Sequence, residues 1–200
     1  MLTIFEKIKI NLENSILKNL KKRARKDLKE WDLENIIFDI DKGPLLVPGV
    51  RDKNGQTMVR VMGYYKHNND PEQREIKICF LSVKRLVKSL KIPPYYAMLG
   101  ILAHEAAHAL DPKRNSRHEL SQELFASYYG AFLVKDKKFF WKKIYWEIQS
   151  DNMKNYKKEF ESFGLGVDAF SSKEKEIQQE MEESYFFNVK CPINFDNNED

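Results

Sequence analysis

The segment His104-Glu105-Ala106-Ala107-His108 sets two histidines four residues apart, with a glutamate beside the first, inside an apolar stretch from Ile101 to Leu110. On an α-helix four residues advance about 400° and about 6 Å, so the two imidazoles stand one turn apart on nearly the same face. Together they can grip one metal ion. Glu105 projects beside them, close enough to take a proton from a water on that ion without being a ligand. The flanking residues Met98, Leu99, Leu102, Ala103, Ala106, Ala107, Ala109 and Leu110 leave almost no polar face except His104, Glu105 and His108. A carboxylate buried without a partner is costly, and a metal ion removes that cost. The chain holds only 4 histidines in 200 residues, which makes this spacing uncommon by chance.

A catalytic zinc site takes three protein ligands and keeps a fourth position open. Downstream the chain offers His118, Glu119 and Glu123. Asp111-Pro112 ends the motif helix, and Asn115-Ser116 supplies a fresh N-cap for a second one. Ser116 and Glu119 have the spacing of a capping box, which gives Glu119 a structural task. Glu123 lies one turn deeper, on the side of Leu120, Leu124 and Ser127, where a carboxylate faces packed core unless it meets a cation. Glu123 is therefore the favoured third ligand, with Glu119 and His118 as alternatives.

The pair of segments His104-Glu-Ala-Ala-His108 and Glu123-Leu-Phe-Ala126 resembles the gluzincin zinc peptidases, and its E-x-x-A form is similar to that of the CAAX-protease-like and ImmA-like groups. The resemblance covers roughly residues 94 to 135. It implies one zinc ion per chain on His104, His108 and Glu123, Glu105 as general base, a zincin-like α+β fold, and hydrolysis of a peptide or protein substrate. It also implies a small sheet ahead of the motif helix whose edge strand pairs with extended substrate. Many gluzincins carry Asp four residues after the ligand glutamate to orient a zinc-bound imidazole. Ser127 stands there instead, and Asp111 is the other candidate for that task. A metzincin would need a third histidine six residues after His108, where Arg114 sits. Candidates to donate a hydrogen bond to the oxyanion are Tyr95, Tyr96, Tyr128, Tyr129, His118 and His67, and the sequence does not choose among them.

Two function classes compete with hydrolysis. One is a metal site that only staples two helices in a regulatory or interaction protein. The other is nucleic-acid binding through the basic run Lys18, Lys21, Lys22, Arg23, Arg25, Lys26 and Lys29. Acidic residues Asp27, Glu30, Asp32 and Glu34 interleave with and follow that run, which favours a solvated helix face. No stretch reaches the roughly 20 apolar residues of a membrane span. The first twenty residues are interrupted by Glu6, Lys7, Lys9 and Glu13, unlike a signal peptide, and Ile4, Ile8, Leu12, Ile16 and Leu20 read as an amphipathic helix packed on the domain. Cys79 and Cys191 form no metal-like pair, which fits a reducing cytoplasm.

A chain with 42% hydrophobic residues and this length suits one core, here residues 1–195 as a single domain with an acidic tail at 196–200. Ile36–Ile40 reads as a short strand, Gly43-Pro44 and Pro48-Gly49 as turns, and Asp52-Lys53-Asn54-Gly55 as a strong turn. Thr57–Lys66 and Glu75–Leu81 read as antiparallel neighbours across the polar loop His67–Gln73, giving a small antiparallel sheet. Ser82–Leu90 is a helix or a loop leading into one. After the Glu123 helix, which runs to Leu133, a long helix over Phe139–Phe160 stops at Gly164 and Gly166, and Ser172–Tyr185 forms a charged last helix.

Overall fold

The computed structural model describes residues 3–52, 55–137, 140–162, 167–185 and 187. It has an α+β architecture and falls into two compact units, Met1–Leu102 and Ala103–Asp200, with the boundary inside the motif helix.

The first unit opens with helix α1, Ile4–Glu30, started by a capping box: the Glu6 N–H donates to the Thr3 hydroxyl and the Thr3 N–H donates to the Glu6 carboxylate. The residues it buries are Leu17, Leu20, Ala24 and Leu28, whereas Ile8 and Leu12 stay 59% and 61% exposed. The expected stripe is thus corrected. A strict four-residue repeat drifts about 40° per step around a helix, so Ile8 and Leu12 wind away from the face that steps of three and four keep buried. Within the basic run, Arg23 lies over the Tyr95 ring and Lys21 pairs with Asp39, so part of that charge is spent inside the unit. The buried Asp27 carboxylate accepts the Tyr95 hydroxyl at 2.9 Å.

The strands are β1 (Ile37–Asp41), β2 (Leu45–Asp52), β3 (Gly55–Val61), β4 (Gly63–Lys66) and β5 (Glu75–Cys79). They form a three-stranded sheet in the order β1-β5-β4 and a separate β2-β3 pair. β1 runs parallel to β5, with Phe38 beside Ile76 and Ile40 beside Ile78, all four buried. β4 runs antiparallel to β5. The sheet is therefore mixed, not antiparallel as expected. The Thr57–Lys66 strand is also broken at Met62: its first half pairs with β2, and only its second half joins β5. Pro48-Gly49 is not a turn but lies within β2, at a shift of register between Pro48 and Arg51, because a proline is tolerated where the ladder is interrupted. Helix α2, Phe80–Leu90, follows β5 directly, buries Phe80 and Val83, and is closed by Lys91 in the left-handed region at φ 53°. Helix α3, Pro94–Leu110, starts on a proline, which costs the first turn nothing.

The second unit contains the end of α3, a 3₁₀ turn at Arg114–Ser116, α4 (Glu119–Leu133), a π-helical turn at Phe140–Tyr145, α5 (Trp146–Ser162) and α6 (Val167–Tyr185). The long helix expected from Phe139 is thus a π turn followed by α5, and the last helix starts five residues earlier than expected. Helices α4, α5 and α6 pack on one another. Their core holds Phe125, Tyr128, Tyr145, Trp146, Phe170, Ile177 and Met181, all buried. No helix among the described residues is long and apolar enough to cross a membrane. Cys191 and the acidic segment 196–200, like Gly164 and Gly166, lie outside the described residues.

Candidate metal centre

Two helices bring the site together. On α3, His104, Glu105 and His108 are 5%, 8% and 7% exposed, so all three polar side chains are withdrawn from solvent. The two imidazoles meet edge to face, with ring centroids 4.9 Å apart. From α4, Glu123 reaches across: its Oε2 lies 3.1 Å from His104 Nε2 and its Oε1 3.4 Å from His108 Nε2. Ligand atoms of His104, His108 and Glu123 all lie within 4.8 Å of one another, and the group could hold a metal ion.

Small residues allow the helices to approach. Ala103, Ala106 and Ala107 are fully buried along α3. At Gly130, two turns beyond Glu123, a Cβ would come within 2.3 Å of the Tyr145 hydroxyl and 3.1 Å of the Ala103 backbone. A side chain there would force α4 away from α3. The Tyr145 hydroxyl instead donates to the Ser127 carbonyl at 2.8 Å and fixes the same stretch of α4.

The electrostatics separate the two glutamates. Burial pushes the Glu123 carboxyl up, but the His108 and His104 imidazoles outweigh it and hold the group well below its usual range. Burial also disfavours charge on His108, and the facing Glu123 carboxylate overrides that and raises its pKa. Glu105 is raised because burial dominates the imidazoles beside it. Its carboxylate makes no hydrogen bond among the described residues. Two Nε2 atoms facing the two oxygens of a carboxylate that is 30% exposed are held there by protons or by one cation between them, and two nitrogens with one carboxylate are a donor set that first-row divalent metals accept.

The alternative ligands are elsewhere. His118 is exposed and is the N-cap of α4, its Nδ1 accepting the Leu120 N–H at 3.4 Å. Glu119 is exposed at the first helical position. The Ser116–Glu119 capping box is therefore not formed; the Ser116 hydroxyl donates to the Lys113 carbonyl at 2.8 Å, because the 3₁₀ turn holds Ser116 short of the helix start. Neither expected orienting residue turns to an imidazole. Ser127 donates to the Glu123 carbonyl at 3.0 Å, the back-bond a serine makes within its own helix. Asp111 is held by Arg117 and by the Lys113 N–H. His104 Nδ1 is buried without a hydrogen-bond partner.

Of the expected oxyanion donors, Tyr95 is committed to Asp27, Tyr128 to Glu174 and Gln178, and His118 to its cap. Tyr129 stacks on Phe125, Tyr96 packs against Tyr95, and His67 sits with Tyr65. The phenol that does reach the site is Tyr156 of α5, whose hydroxyl donates to Glu123 Oε2 at 2.7 Å. Burial, then the Glu123 charge, push that phenol well above its usual pKa. Sequence reasoning passed over it. The available signal was spacing: Tyr156 follows Trp146, Gln149 and Met153 on the one buried face of α5.

Compared with known protein families, curated proteins and solved structures, the chain matches none. Its functional reading rests on the geometry of these side chains.

Proposed function

We propose that this chain is a zinc-dependent peptidase of the gluzincin type with a zincin-like fold, acting on a peptide or protein substrate. The observation that carries the reading is the convergence of the buried His104 and His108 with the part-exposed Glu123 on one point, with the buried Glu105 carboxylate beside them. A zinc ion there would polarise a scissile carbonyl and make a water acidic enough to deprotonate near neutral pH. Glu105 is suited to receive that proton, since it is no ligand in the convergent group and its burial raises its affinity for a proton. The same carboxyl can then pass the proton to the departing amine nitrogen, so that water adds across the bond and the base is regenerated.

The open donor count favours hydrolysis over a structural staple. A closed structural site takes four protein ligands, and among the described residues three side chains converge while His118 and Glu119 face solvent. Metal content by elemental analysis, on the parent and on Glu123→Gln prepared identically, tests the reading. About one zinc per chain is expected in the parent, with most of it lost in the variant. A parent that takes up no zinc after reconstitution removes the hydrolase reading; a variant that keeps it undiminished removes Glu123 as ligand.

A further inference from the structure

We infer that Tyr156 is a positioning residue that holds Glu123 to the metal through a single oxygen and so keeps a coordination position free. The inference rests on the metal reading above and deepens it.

The two oxygens of Glu123 have different surroundings. Oε2 accepts the Tyr156 hydroxyl at 2.7 Å and also lies 3.1 Å from His104 Nε2, whereas Oε1 points to His108 Nε2 at 3.4 Å. A carboxylate can chelate an ion with both oxygens or bind with one. A hydrogen bond from a rigid phenol to one oxygen lowers that oxygen's donor strength and fixes the plane of the carboxylate, leaving the other to bind. The phenol is itself fixed, because α5 buries Trp146, Gln149 and Met153 on the same side.

Support in metal sites usually comes through the imidazoles, whose second nitrogens donate to a carboxylate or a carbonyl. Here that route is missing for His104, whose Nδ1 is buried without a partner. Ser127 is turned back to its own helix, and Asp111 is occupied by Arg117. The orienting contact arrives from a third helix and acts on the carboxylate ligand instead. With the phenol gone, Glu123 Oε2 loses its 2.7 Å hydrogen bond, and the ion becomes its best remaining partner. The carboxylate then chelates, and the position that water or substrate would use is filled.

Cobalt(II) reports this directly, because its visible absorption weakens when coordination rises from four to five. The experiment loads the parent, Tyr156→Phe and Tyr145→Phe with Co²⁺ and records the spectrum and the dissociation constant of each. Tyr145→Phe is the control, since that phenol donates to the Ser127 carbonyl. The expected result is a weaker visible band in Tyr156→Phe, with the Tyr145→Phe band unchanged. A parent that binds no Co²⁺ removes the metal reading and this inference with it. A parent that binds, with Tyr156→Phe matching it in band, overturns the inference alone. A crystal structure of the zinc-loaded parent needs no variant: one Glu123 oxygen on the ion and the other on Tyr156 supports the inference, and chelation by both oxygens overturns it.

Discussion

Two buried polar clusters lie in the second unit, and they solve the same problem in opposite ways. Around Arg117 every charge is answered: its Nε donates to both Asp111 oxygens at 2.9 and 3.1 Å, its Nη2 donates to Glu180 at 2.6 Å, and its guanidinium lies over the Phe125 ring. Around His104 the accounts stay open. Glu105 has no hydrogen-bonding partner among the described residues, His104 Nδ1 has none, and the strongest attractions to Glu123 come from imidazoles that must hold protons to supply them. A permanent cation such as guanidinium closes a cluster and makes it structural. Two imidazoles and a carboxylate carry no permanent cation, and the group could hold a metal ion in its place.

The comparison breaks most sharply at the two glutamates of the open cluster and at the one arginine of the closed one. Glu105→Gln preserves shape and removes the base, so peptide hydrolysis should fall by about 10²- to 10⁴-fold while metal content stays at the parent's level. Steady-state kinetics beside elemental analysis checks this, and a variant as active as the parent would remove Glu105 from the chemistry. Arg117→Met should instead cost stability, about 3–5 kcal/mol, because it leaves Asp111 and Glu180 facing each other with no guanidinium between them. Chemical denaturation gives that number. A loss under 1 kcal/mol would mean the closed cluster is less dry than its burial indicates.

How much of this was legible beforehand follows the range of each interaction. The candidate ligands His104, His108 and Glu123 lie within 20 residues of one another, and helical periodicity suffices to bring them into one group. The sheet was less legible because its pairing is long-range. Nothing local tells β5 to accept β1 in parallel, with partners 38 positions apart such as Ile37 and Glu75, or tells the Thr57–Lys66 run to break at Met62 and divide between two sheets. The capping box failed for a local reason, since a 3₁₀ turn displaces the helix start by two residues and makes His118 the cap. Tyr156 was missed because a tyrosine on a buried helix face reads as core until the helix it faces is known.

The mildest expected effect concerns pH and sets Glu180 against Glu105. Burial pushes the Glu180 carboxyl up, but Arg117, aided by Lys113, outweighs it and holds the group below its usual value of 4.5. A depressed folded-state pKa adds stability that is present above the unfolded value and lost as pH falls through the folded one. Glu180→Gln should therefore lower the melting temperature at neutral pH, by an amount on the order of 1 kcal/mol or roughly 2–4 °C, and flatten the decline below pH 4.5. Glu105 has the opposite sign. Its folded-state pKa lies above 4.5, so stability falls as pH rises from that value and levels off once the buried group ionises. In chelator-treated protein Glu105→Gln should raise the melting temperature at neutral pH, which is the stability a site surrenders to keep a reactive carboxylate buried. Melting curves of both variants across pH 3 to 8 give the signs; a fall in both would place Glu105 in a closed cluster like that of Arg117 and remove the physical distinction between the two.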